Sequence, residues 1–138
     1  MTPEDPREIH ELNRTECLAL LGRANVGRLA VVLGAGQPDL FPVNYVLDGD
    51  RIVFRSLEGT KLSHASLDRV AFEVDEVIPG SDSAWSVVVK GVAREITDAL
   101  DPESERERSL LAEGSMPGAH VVRIVPHEIT GRRVPQPR

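Results

Sequence analysis

Apolar residues recur along this chain with two different periods, and the change of period divides it. Near the start, Leu12, Cys17, Leu18 and Leu21 fall at helical spacing. Asn13 stands before this run and Glu16 three residues later, the pattern of a capping box, with Leu12 and Cys17 at the flanking staple positions. Gly22 is the expected stop. From there the pattern is extended and β-branched. Strands are predicted over Val26–Leu33, Leu40–Leu47, Arg51–Leu57, Arg69–Asp75, Trp85–Thr97 and His120–Ile129. GAGQPD, the hairpin signal Asp48-Gly49-Asp50 and Pro79-Gly80-Ser81 punctuate them. Gly91 inside the long fifth strand predicts a bulge or bend. Gly59-Thr60 opens a short helical stretch, Lys61–Leu67, and Asp98–Glu113 is charged and helix-prone before GSMPG breaks it.

Six strands at hairpin spacing with helices at the periphery predict a mainly β fold, an antiparallel barrel, with no βαβ alternation. The organisation expected is a flexible N-terminal arm over 1–10, one domain over 11–133 and a C-terminal tail over 134–138. At 138 residues, 41% hydrophobic and 28% charged, such a domain can bury a core without staples. Sixteen Lys and Arg against 22 Asp and Glu give a net charge of −6, which argues against nucleic-acid binding. An anionic ligand must therefore be held by a few local basic residues. The single cysteine, Cys17, excludes an intrachain disulfide and a multi-cysteine metal site. The acidic start MTPEDPREIHE does not read as a signal peptide, and no stretch reaches the roughly 20 apolar residues of a membrane helix. The expected location is cytoplasmic, with no membrane partner.

Familiar catalytic patterns are missing. His10, His64, His120 and His127 show no metal-binding spacing, and no G-x-S-x-G elbow occurs. Gly34-Ala35-Gly36 leads into another strand instead of a helix, so it is a turn and not a dinucleotide loop. Cys17, on the apolar side of a helix, reads as core. One constellation could hold a phosphate: Arg55 and Ser56 at a strand end, with Lys61 beyond the next turn. Spacing alone favours an ordinary solvated strand end. Pro42, within Pro42-Val43-Asn44-Tyr45, predicts an edge strand whose freed backbone could meet a heterocycle, or simply an edge with a buried tyrosine. Trp85, ahead of Ser86 and Val87, could stack on a flat ligand or seal the core.

The ordered set CLALLGRANVGRLAVV, FPVNYVLDGDRIVFRS, GTKL, VAFEVDE, WSVVVKGVAREI and RIVPHEITGRR resembles the pyridoxamine 5′-phosphate oxidase-like, FMN-binding split-barrel superfamily. The resemblance spans roughly residues 12–133 and is nearest the small actinobacterial-type branch related to nitroimidazole-resistance flavoproteins. It implies a six-stranded split β-barrel and a homodimer with flavin at the interface. By the same resemblance, Arg55, Ser56 and Lys61 grip the flavin phosphate and the ring lies along Pro42, Val43, Asn44 and Tyr45. Trp85, Ser86 and Val87 close the pocket from the second subunit. The ending GRRVPQPR lacks the Arg- and Trp-containing segment of true pyridoxamine phosphate oxidases, so a substrate other than vitamin B6 is expected.

A dimer is also expected from the fifth strand, where Val87, Val88 and Val89 make both faces apolar. FMN is the cofactor expected first. The alternative is a deazaflavin coenzyme, whose oligoglutamate tail would call on Arg132 and Arg133. The expected function is a flavin-dependent oxidoreductase acting on a small planar or redox-active molecule, the alternative a non-catalytic flavin carrier. No catalytic side chain is assigned, Tyr45 and His64 being only candidate proton donors, and no metal is expected.

Overall fold

The computed structural model describes residues 8–33, 36–56, 69–80, 83–111 and 119–135. The elements run β1 (His10–Leu12), α1 (Arg14–Arg23), β2 (Val26–Leu33), β3 (Gln37–Asp48), β4 (Arg51–Ser56), β5 (Arg69–Val77), β6 (Ser83–Glu95), α2 (Pro102–Leu110) and β7 (His120–Pro135). The strands are antiparallel in the order β1-β7-β4-β3-β2-β5-β6, and a further β6–β7 pairing closes the sheet into a ring. The fold is therefore the mainly β barrel expected, with β1 added to its wall.

The longest strand shapes the wall. Along one edge β7 pairs with β6. Along the other it pairs first with β4, at residues 120–124, and then with β1, at 131–133. Between these stretches, β6 is its only strand neighbour among the described residues. The wall is split there, and α1 packs alongside with Cys17, Leu20 and Leu21 buried.

Strand alternation builds the core. Leu29, Tyr45, Ile52, Phe54, Phe72, Val74, Trp85, Val87, Val89, Val122 and Ile124 point inward and are buried together. A smaller cluster of Val53, Ile96, Leu111 and Val121 lies on the outer face of β4 and β7 beside α2. Charged pairs tie the helix to that wall: Arg106 to Asp48, Arg51 to Glu103, and Arg123 to the buried Glu107.

The Asn13–Glu16 capping box forms as expected. Gly49 turns the β3–β4 hairpin with φ +63°. The ladder shifts register between Lys90 and Gly91, where a Cβ on Gly91 would lie 2.3 Å from the Val125 carbonyl oxygen. Other expectations shift. α1 runs through Gly22 to Arg23 and ends at an extended Ala24. α2 starts only at Pro102, because proline disfavours a helical residue before it and Asp101 serves as the cap. β7 continues past Ile129 to Pro135, pairing with both β6 and β1. The expected helical stretch Lys61–Leu67 lies outside the described residues, as does most of the N-terminal arm.

Candidate functional site

Two faces of the wall carry the residues singled out by the sequence. Tyr45 pairs with Phe54, and both side chains are buried. The next residue along each strand, Asn44 on β3 and Arg55 on β4, therefore points outward at the same end of the pair. Arg55 is half-buried and Asn44 exposed. Ser56 follows Arg55 and faces inward; it is 5% exposed and in register with His120. Its side chain thus turns away from Arg55, and toward an outer ligand this pair offers one guanidinium plus backbone. Lys61 and His64 lie outside the described residues.

Residues 37–44 of β3 pair with β2 alone among the described residues, whereas 45–48 pair with β4. Pro42 therefore sits in a local edge, where a missing N–H is tolerated. Pro42 and Asn44 face outward, Val43 and Tyr45 inward. The Tyr45 ring stands edge-on to Phe72, centroids 5.1 Å apart. Its hydroxyl is already engaged within the core, and burial pushes its pKa up to about 12. That suits a structural tyrosine better than a proton donor.

Trp85 and Val87 are core residues, at 4% and 0% exposure, so the indole seals the barrel in this chain. Ser86 points the other way. With Val88, Thr130, Arg132, Ile9 and Glu11 it lines an outer hollow of about 360 Å³ walled by β1, β6 and β7. Of the three valines expected to make β6 apolar on both faces, Val88 alone faces outward. From Asn44 the sheet order runs through β2 and β5 before reaching Ser86 on β6. At about 4.8 Å per strand, the two patches stand on the order of 14 Å apart within one chain.

Between them lies a charged bridge that sequence reading passed over. Arg28 on β2 reaches Glu73 and Asp75 on β5, at 3.0 and 2.6 Å. Partial burial and the Asp75 carboxyl hold the Glu73 pKa up, while the hydrogen bond from Glu73 and the nearby guanidinium lower that of Asp75. Residues 28, 73 and 75 become neighbours only through the register, so no local motif announces them. His120 was also passed over. Its Nδ1 bonds the Glu95 carboxylate, which accepts a second hydrogen bond from Thr97 Oγ1. These contacts, His120 first, hold Glu95 below the ordinary carboxylate value. The arrangement fixes a polar strand end directly beside Ser56.

Comparison with known proteins agrees with the fold. The family model described as pyridoxamine 5′-phosphate oxidase matches residues 13–133. The chain is 34% identical to the uncharacterized protein Rv0080 of Mycobacterium tuberculosis, covering 96% of this chain and 90% of that protein. Among solved structures, it resembles an FAD binding protein from Mycobacterium smegmatis, with 37% identity, 90% and 98% coverage and a TM-score of 0.74. An FAD-binding protein from Mesorhizobium loti shares 28% identity, with 91% and 98% coverage and a TM-score of 0.75. The fold and the match over most of its length place this chain in the pyridoxamine 5′-phosphate oxidase-like family of split barrels.

Proposed function

We propose that this chain binds a flavin nucleotide on the outer wall beside β3 and β4, and that two copies complete each site. The observation carrying the reading is the local edge at Pro42–Asn44 set next to the outward Arg55. A strand edge can meet the polar rim of a planar ring, and a guanidinium can take a phosphate in charge-assisted contacts. Arg55 and Lys61 would hold that phosphate, with backbone of 42–45 along the ring. Two relatives above 25% identity carry FAD-binding in their names, which supports a flavin. FMN is the form we propose, since one phosphate matches the basic residues available.

Asn44 and Ser86 stand on different strands of the wall, with the Arg28 bridge to Glu73 and Asp75 between them. In the dimer we propose, the Ser86 patch facing each flavin comes from the second copy. The bound flavin supplies the redox chemistry. The chain supplies binding, orientation and exclusion of water, which fits the absence of any assigned acid–base side chain. We propose an oxidoreductase acting on a small planar or redox-active molecule.

Absorbance and mass of the released cofactor test the reading. FMN is expected; FAD or a deazaflavin would replace it, and a protein that takes up no flavin would overturn it. Replacing Arg55 and Lys61 together by Ala should weaken FMN binding by about 2–4 kcal/mol. Sedimentation should show a dimer. Anaerobic reduction by NADH or NADPH separates the enzyme from the carrier, which would show no reduction faster than free flavin.

A further inference from the structure

A second hollow of about 360 Å³ lies at the opposite end of β2 and β3. Pro38, which lines it, is six residues from Asn44, about 20 Å along an extended strand, so this is a separate place. Its floor is apolar: Ala30, Val32, Pro38 and Ala71, with Val32 63% exposed. Its rim is basic, formed by Arg69, Lys90 and His127. The side chains of Arg69 and His127 make no hydrogen bond or ion pair among the described residues, and Lys90 meets Glu128 only at 3.9 Å. A chain of net charge −6 has thus set Arg69 and His127, without an ion-pair partner among the described residues, and the loosely paired Lys90 around an apolar floor.

We infer that this hollow is a binding site for a small carboxylate with an aliphatic or aromatic body. The volume falls within the range of about 300–1,000 Å³ usual for ligand pockets, and a few polar groups around apolar walls are their usual lining. The carboxylate meets Arg69, which can offer two parallel N–H donors, and Lys90; the hydrocarbon body covers Val32, Ala30 and Ala71. Glu128, the acidic group 3.9 Å from Lys90, gives up part of that contact when the carboxylate binds. The assignment is independent of flavin binding.

Titration of the purified protein with octanoate and benzoate, followed by calorimetry and by the His127 ring resonances, tests it. Saturable binding is expected, with no response to octylamine, which has the same body and the opposite charge. Arg69→Ala with Lys90→Ala should weaken octanoate at least tenfold while thermal melting stays unchanged. Equal binding of octylamine, or octanoate affinity indifferent to the double substitution, would overturn the site. So would a protein that ignores octanoate and falls from dimer to monomer on Val32→Asp, which would mark this face as a contact between copies.

Discussion

The hydroxyl of Tyr45 donates a 2.6 Å hydrogen bond to the carbonyl oxygen of Leu21. Leu21 lies in the last turn of α1, where carbonyls have no partner within the helix. One strand side chain thus completes the helix end and ties it to the barrel.

Tyr45→Phe should therefore destabilise the protein by about 1–2 kcal/mol, since it leaves a buried carbonyl unpaired. A denaturant melt measures this.

The same residue predicts a pH dependence. Tyr45 is the chain's single tyrosine, and burial raises its pKa to about 12, above the value of about 10 of an unfolded tyrosine. The folded state then holds the proton more tightly. This contribution is fully present below pH of about 10 and is lost as pH rises toward 12. Ultraviolet titration should place the phenolate midpoint near that higher value, and Tyr45→Phe should flatten the alkaline loss of stability.

Gly131 leaves no room for a side chain. A Cβ there would lie 2.6 Å from Cys17 Sγ and 3.2 Å from the Ser86 carbonyl oxygen. Gly131→Ala should cost about 1–3 kcal/mol. Adding Cys17→Ala should restore part of that, because it removes the nearest clash. Additive losses in the double variant would contradict the contact.

Cys17 is fully buried, and burial, with the nearby Glu16 charge, pushes its thiol pKa up. A thiol reagent should label it only once denaturant opens the chain. Rapid labelling of the native protein would show α1 detaching from the barrel.

Glu107 is wholly buried on α2, 2.6 Å from Arg123 Nη1. Glu107→Gln leaves that guanidinium without its nearest counter-charge, and a loss of about 3–5 kcal/mol is expected. Urea midpoints check it; unchanged stability would show that Glu103, 3.9 Å from the same guanidinium, suffices as its counter-charge.

Local signals made much of this fold legible. The Asn13–Glu16 box, the Asp48-Gly49 turn and the Gly91 bulge each act over a few neighbours and form as read, and the β-branched runs become strands, with β7 reaching beyond its predicted end. β1 escaped because His10–Leu12 is too short and polar to show a period; it is a strand only because Arg132 and its neighbours pair with it. The site divides in the same way. Pro42 announced a strand edge through its own chemistry. The opposite facing of Arg55 and Ser56 follows from simple alternation once the strand is accepted. Arg28, Glu73 and Asp75 are joined by register between distant strands, which sequence spacing does not encode.

The ring shuts on its last strand, and that governs how the chain can fold. β7 pairs with β6, β4 and β1, and His10 meets Arg133 across nearly the whole chain. Until β7 arrives, β6 and β4 each present a bare edge able to pair with another nascent chain. Pairings this distant in sequence make for slow folding, because loop closure must precede any gain from contact. During synthesis the barrel remains an open, adhesive sheet until β7 leaves the ribosome. The final closure of β7, rather than the early hairpin at Gly49, sets the period of aggregation risk.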